Sequence, residues 1–233
     1  MKKIVTLLAL LFIIFSCSKE KGNMIVKGKI KGLKKGTIYL QKLIDTTIVS
    51  VDSVQLFGDN NFILSDNVTS PVMYYLSYKG DVSTKKLMFF GEQGEIKITD
   101  NIEQFGFKPE ITGSKNQEVI NKFNNINQKF KMKRLDFIKQ DFEAQSTKNK
   151  IAADSLAKAY KKMVRNRFLF TTNFAIANND SEAAPYIALA ELFDANIYLL
   201  DTINNSLTDR VKNSIYGKRL QNFVSDVKSK EIN

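Results

Sequence analysis

From Met24 to about Gly113 the chain alternates apolar and polar positions with a period of two, interrupted at short intervals by turn-forming residues. Met24-Ile25-Val26-Lys27-Gly28-Lys29-Ile30 alternates, Gly32-Leu33-Lys34-Lys35-Gly36 supplies a turn, and Thr37-Ile38-Tyr39-Leu40 resumes the pattern, which predicts a β-hairpin. Further strands are predicted at Ile48 to Phe57, Phe62 to Leu64, Val72 to Tyr78, Lys86 to Phe90, Glu95 to Thr99 and Pro109 to Thr112. The breaks Gly58-Asp59-Asn60-Asn61, Lys79-Gly80-Asp81 and Gly91-Glu92-Gln93-Gly94 carry the residues that tolerate tight turns. Many short strands at this spacing predict a sandwich or a barrel.

The period changes at Gly113-Ser114. Val119, Phe123, Ile126, Phe130 and Phe137 recur at helical spacing, polar Gln145-Ser146-Thr147-Lys148-Asn149 interrupts, and Leu156, Tyr160, Met163, Phe170 and Phe174 form a second stripe. Two stripes joined by a short polar break predict an antiparallel helical hairpin. Shorter helices are predicted around Ala183 to Leu192 and Leu207 to Val227, with Pro185 near the start of the first, where its missing amide costs little. The expected fold class is α+β: an N-terminal antiparallel β-sandwich or barrel-like domain followed by a helical hairpin and shorter helices. The hydrophobic period switches at one point, so the strand-rich segment is expected to be autonomous, with the helices packed on it as a separate layer.

Ahead of this pattern, Met1-Lys2-Lys3 precedes an apolar run from Ile4 to Phe15. About a dozen residues fall short of the ~20 that cross a bilayer as a helix, so the run reads as a cleaved export signal. An ordinary signal wants small residues at the last and third-last positions; Ser16 qualifies and Ile14 is bulky. Ile14-Phe15-Ser16-Cys17 instead resembles the lipobox of bacterial lipoproteins. The resemblance implies that the Cys17 thiol is alkylated with diacylglycerol and that Cys17 becomes the N-terminus, with palmitate-type acyl chains as the anchor. At ~0.8 kcal/mol per buried methylene, two or more chains hold firmly to a membrane. The predicted organisation is a signal peptide at 1–16, the lipidated cysteine and a polar tether at 17–23, a β-rich domain at 24–113 and an α-helical domain at 114–233.

The 233 residues include no histidine, no tryptophan and only one cysteine, Cys17. The usual neutral-pH general base and commonest metal ligand are therefore missing, and with Cys17 acylated so are disulfides, thiolate catalysis and cysteine-based zinc sites. What remains is chemistry run by carboxylates, lysine, serine or tyrosine. Asp45 with Asp52, and Glu92 with Glu95, are the nearest approach to an acid–base pair; both read as solvated acids of turns and strand edges. Gly113-Ser114-Lys115 and Gly217-Lys218-Arg219 lack the glycine spacing of a phosphate loop. No catalytic residue, cofactor or metal site is assigned.

The net charge of +11 falls to +9 when Lys2 and Lys3 leave with the signal, and from Ser114 onward 20 Lys and Arg face 13 Asp and Glu. Folding the hairpin about Thr147 brings Lys129, Lys131, Lys133 and Arg134 level with Lys161, Lys162, Arg165 and Arg167, a basic band ~20 to 25 Å below the hairpin tip at 1.5 Å per residue. It is either a solvated helix surface or a docking site for an anionic partner, an envelope protein or an anionic glycan; an exported protein meets little nucleic acid. Within Met73-Tyr74-Tyr75-Leu76-Ser77-Tyr78, alternation puts Tyr74, Leu76 and Tyr78 on one face and Met73, Tyr75 and Ser77 on the other, so part is core and part is offered to solvent or a ligand.

Val26-Lys27-Gly28-Lys29-Ile30, Gly36-Thr37-Ile38-Tyr39-Leu40, Asp52-Ser53-Val54, Gly94-Glu95-Ile96-Lys97-Ile98 and Ile111-Thr112-Gly113-Ser114, in this order behind a lipobox, resemble the domain of unknown function 4369 family. That family occurs in lipoproteins of Gram-negative bacteria, often ahead of a thioredoxin-like domain of the AhpC/TSA type. The usual Asp-Gly before an aromatic strand is replaced here by Gly58-Asp59-Asn60-Asn61-Phe62. Asn179-Asp180-Ser181 and Ser214-Ile215-Tyr216-Gly217-Lys218-Arg219-Leu220 are similar to the segment C-terminal to the domain in the fused relatives. The resemblance implies an outer-membrane lipoprotein, periplasmic or surface-facing. The expected function is that of a non-enzymatic envelope lipoprotein acting as a binding or interaction module. The alternatives are an accessory that docks a separate thioredoxin-like enzyme in trans, and a carboxylate-dependent hydrolase.

Overall fold

The computed structural model describes residues 22–79 and 86–232; Cys17, its leader and the predicted Gly80-Asp81 turn lie outside the described residues. Eight strands occupy the eight places where the period-two pattern puts them: β1 (Met24–Lys31), β2 (Lys35–Ile44), β3 (Thr47–Phe57), β4 (Asn61–Asp66), β5 (Val72–Lys79), β6 (Leu87–Gly91), β7 (Gly94–Asn101) and β8 (Glu110–Thr112). They form two four-stranded sheets, ordered β4-β1-β7-β8 and β3-β2-β5-β6. The architecture is a sandwich. Its pairing is antiparallel except that β1 runs parallel to β7, a long-range arrangement that alternation cannot reveal, because a strand shows the same period whichever way its neighbour runs.

Alternation decides the inward faces. Along β1, Met24, Val26 and Ile30 are buried while Lys27, Lys29 and Lys31 face out, and Ile96 and Ile98 of β7 join them in a core with Ile38 and Leu40 of β2 and Leu76 of β5. Gly28 belongs to the inward set for a steric reason. It pairs with Phe62, whose ring occupies the space a Cβ would need. The turn Gly58-Asp59-Asn60-Asn61 works by local bonding, with Gly58 at φ +85° and the Asp59 carboxylate accepting the Asn61 amide at 3.1 Å.

Six helices complete the chain: α1 (Lys115–Ser146), α2 (Lys150–Ala177), α3 (Ala183–Glu191), α4 (Ile197–Ser206), α5 (Asp209–Lys212) and α6 (Ile215–Ile232). Ser114 caps α1, its Oγ accepting the Gln117 amide at 3.0 Å. α1 and α2 form the antiparallel hairpin, with Phe123 against Phe174, Phe130 against Phe170 and Phe137 against Tyr160 at ring separations of 5.4, 5.7 and 5.9 Å. Asn149 restarts the helix by accepting the Ala152 amide. The segment predicted as one helix from Leu207 to Val227 is instead two, because the chain turns at Asn213 and Ser214 begins a new cap, its Oγ accepting the Gly217 amide at 3.0 Å. The hydrophobic pattern also left α4 unpredicted, although Asn196 caps it and Ile197, Leu200 and Ile203 form its buried stripe. No described helix is long and apolar enough to cross a membrane.

The helices are not an independent layer. Met73 and Phe90, which face each other across β5 and β6, share a buried cluster with Ile120, Phe123, Ala183, Ile187 and Tyr216. The Phe90 amide donates to Gln117 Oε1 at 2.7 Å and the Met73 amide to the Tyr216 hydroxyl at 3.1 Å. At the adjoining turn, Glu92 accepts the Lys115 amide at 2.5 Å and the Asn116 side-chain amide, and Asn116 Oδ1 in turn receives Ser181 Oγ at 2.7 Å and the Ala183 amide at 3.1 Å. A strand turn thus holds the starts of α1 and α3 together. A buried amide left without an acceptor costs about 1 to 3 kcal/mol. Gln117→Leu and Tyr216→Phe are each expected to destabilise the full chain by that amount, read as a lower urea midpoint with an unchanged slope; an unchanged midpoint would show that these bonds add nothing to the junction.

Candidate functional site

Of the four carboxylates singled out in the sequence, Asp52, Glu92 and Glu95 are engaged elsewhere. Asp45 sits at φ 53° in the turn between β2 and β3, whereas Asp52, seven residues on, accepts the Ser53 and Ser65 amides at 2.9 Å each. Glu92 caps α1, and Glu95 pairs with Lys27 at 2.6 Å and Lys97 at 3.6 Å. The Lys27 hydrogen bond holds the Glu95 carboxyl below its ordinary range. Neither pair meets across a cleft. Among the described residues no group of three or more acidic side chains is arranged to hold a metal ion.

The eight cations of the basic band lie along the middle of the hairpin, but the structure divides them. Lys131 and Arg167 converge on Glu191 of α3, at 3.8 and 3.0 Å, and Asn127 donates to the same carboxylate at 2.9 Å. These two cations are spent on docking α3 to the hairpin. Lys129, Lys133, Arg134, Lys161, Lys162 and Arg165 are exposed and have no ion pair among the described residues. They are level along the axis without sharing one face: Lys129 and Lys133 stack one turn apart, as do Lys161 and Arg165, while Lys131 points to the other side of α1. Over 128–165 the arm holds 11 Lys and Arg against 4 Asp and Glu. The other charges from Ser114 onward balance, so the basic excess of this half belongs to the arm.

The tyrosine-rich strand divides as its alternation predicts. Tyr74 and Leu76 are fully buried in the sandwich, and Tyr78 packs edge-on to Phe105 at 5.4 Å. On the other face Met73 enters the junction cluster and Tyr75 borders a cleft of about 540 Å³ between β5, the loop at 67–70, α3 and α6. The cleft also takes in Lys42, Tyr186, Tyr216 and Arg219. Lys42 pairs with Asp66 at 2.5 Å and lies 5.6 Å from the Tyr74 ring, and Tyr74 donates to Asp66 at 2.6 Å. Arg219 lies 5.8 Å from the Tyr216 ring. Sequence reasoning missed this cleft because its walls come from segments more than a hundred residues apart. The one local signal was Ser214-Ile215-Tyr216-Gly217, in which Ser214 caps α6, Tyr216 reaches β5, and Gly217 packs so closely that a Cβ would stand 2.0 Å from the Val211 carbonyl.

Residues 24–120 match the family described as Domain of unknown function (DUF4369). This segment is a DUF4369 domain. No curated protein and no solved structure matches the chain significantly. The DUF4369 match runs past Gly113 into α1 and includes Asn116, Gln117 and Ile120, the residues that tie the helix to Glu92, Phe90 and the junction cluster. The match ends just before Phe123, where α1 turns to packing against α2.

The cleft tyrosines titrate late. Burial, then the Asp66 carboxylate, raises Tyr74 well above the ordinary phenol range; burial and neighbouring phenols push Tyr186 up to about 12; burial raises Tyr216 against the opposing effect of the Met73 amide. In the unfolded chain these phenols ionise near 10. The unfolded state then binds fewer protons than the native one, so stability is full below pH 10 and falls as pH rises above it, by about 1.4 kcal/mol per pH unit for each phenol kept neutral. Phenolate absorbance of the native protein is expected to lag behind that of the denatured chain between pH 10 and about 12. Superimposable titrations would contradict the burial of these three groups.

Proposed function

We propose that this protein is a non-enzymatic, membrane-anchored envelope lipoprotein that serves as a binding module for an anionic partner. The observation that carries the reading is the projecting hairpin. In α1 no residue between Asn127 and Ala144 is buried, and in α2 none before Met163. At 1.5 Å per residue this leaves roughly 20 Å of paired helix outside any core. Single-domain proteins seldom expose so much helix without use, because its apolar positions gain nothing from water. The concentration of +7 on this arm, with the rest of the helical half neutral, supports an acidic surface as the counterpart.

Membrane attachment in this reading rests on Cys17. Its thioether and acyl chains would hold the sandwich near the bilayer through the short segment ahead of Asn23, which is itself bonded to Val68, leaving the arm free to engage a partner in the envelope. Asp52 and Glu92 serve as acceptors for backbone amides and Glu95 as an ion-pair partner, which favours binding over hydrolysis.

Metabolic labelling with an alkyne fatty acid is expected to tag the wild type and not Cys17→Ala. For the binding role, the four changes Lys133→Gln, Arg134→Gln, Lys162→Gln and Arg165→Gln spare the Glu191 pairs and should leave the fold intact, since exposed substitutions cost within ~0.5 kcal/mol each. Capture of acidic envelope proteins from detergent extracts should weaken with salt, as charges separated by more than ~8 Å are screened at physiological ionic strength, and should drop in the fourfold variant. Capture indifferent to both would remove the basic arm from the function.

A further inference from the structure

One face of the hairpin arm is apolar and grooved, and no other element among the described residues covers it. Leu135, Ile138 and Phe142 succeed one another at steps of three and four and so share a side of α1, where they are 58%, 53% and 74% exposed. Beside them a hollow of about 260 Å³ lies between the two helices, lined by Phe137, Ile138, Asp141, Leu156, Ala157 and Tyr160. Tyr160 also lines a second hollow of about 590 Å³ between α2 and α4, with Val164, Phe168, Leu169, Tyr198 and Leu199. The two hollows adjoin at Tyr160, which lines both, and are taken together as a trough. Counted from Phe142 to the level of Phe168, which lies opposite Lys129 in the hairpin register, it runs for about 20 Å, the length of about 14 helical residues.

The protein shows what such a face takes. On the same side nearer the sandwich, Lys131 of α1 and Arg167 of α2 both reach Glu191 of α3, so a short helix lies across the hairpin and presents an acid to its cations. Beyond α3 and α4 the hairpin continues with apolar residues and cations, and no helix among the described residues covers it. Lys161 and Arg165 stand on the wall of the trough, exposed and without an ion pair among the described residues. Asp141, the one acid lining it, is held by the Gln145 side chain at 2.7 Å. A second copy of this chain would bring the same +7 against these cations. The charge therefore selects a different protein.

We infer that this trough is the acceptor for an amphipathic α-helix of a partner protein, one that lays leucine-like residues at helical spacing into the groove and presents glutamate or aspartate to Lys161 and Arg165. The inference deepens the binding reading by naming the face and the class of occupant. The mode is helix-in-groove recognition, in which residues at i, i+3 or i+4 and i+7 serve as anchors.

The probe is a synthetic peptide of about 20 residues with leucine at those positions and glutamate elsewhere, titrated against the full chain at low salt. Its controls are the same composition in scrambled order and a version with lysine for glutamate. Saturable binding of the patterned acidic peptide alone is expected. It should be lost by about tenfold or more when Leu135, Ile138 and Phe142 are replaced by glutamate, and weakened a few-fold with a flatter salt dependence in Lys161→Gln with Arg165→Gln. Circular dichroism of both variants should match wild type. Equal binding of the scrambled peptide, unaffected by the glutamate variant, would overturn the groove and leave only a basic binding arm. Flotation with anionic vesicles that disappears in the glutamate variant while no peptide binds would make the face a lipid-contacting one. Concentration-dependent dimerisation lost in the same variant would make it a self-association face. Either result overturns the inference.

Discussion

Two buried backbone amides govern how this molecule is assembled. Met73 and Phe90 pair across β5 and β6, yet their N–H groups are satisfied by Tyr216 and Gln117, side chains that arrive from α6 and α1. A sandwich built without those helices would leave both amides facing solvent, together with the apolar side chains of the same two residues. Helix and sheet therefore complete one another, and the buried cluster of Phe90, Phe123, Ile187 and Tyr216 grows around the two bonds. Glu92 reinforces the arrangement by holding α1 and, through Asn116, the start of α3.

Fixing the helices at one end determines what happens at the other. α1 is anchored over its first turns, α3 crosses the hairpin at Glu191, and α4 and α6 close a small core of their own around Leu200, Ile203, Leu220 and Val224. Nothing among the described residues covers the hairpin beyond that level. A two-helix arm has too little interior to bury both of its apolar stripes, so Phe137 and Tyr160 face each other while Ile138 and Phe142 remain in water. The rigid junction gives the arm a defined origin, and its own sequence gives it charge and an apolar face.

Charge is distributed by the same logic. Asp52, Glu92 and Glu95 are placed singly, each at a point where a backbone or a lysine needs an acceptor: Asp52 at Ser65, Glu92 at α1 and Glu95 at Lys27, while Glu191 serves cations of two helices. In the helical half the excess of cations gathers on the arm.

The strands and the two long helices were legible in the sequence because each rests on a local period. Inward Val26 and Ile30, outward Lys27 and Lys29, and the phenylalanines at heptad-like spacing in α1 signal burial whatever lies around them. The short helices were read less well, since Leu207 to Val227 has helical composition throughout and only the cap at Ser214 divides it. The sequence also gathered the eight cations of the basic band along one stretch of the hairpin. Tertiary structure alone decided that β1 and β7 run parallel, that Glu191 claims Lys131 and Arg167, and that Tyr75, Tyr186 and Tyr216 border a common cleft. Periodicity records which side of an element is buried and carries no information about which distant element buries it. Pairing direction, ion partners and clefts belong to that second relation, so they become visible only when the chain is folded.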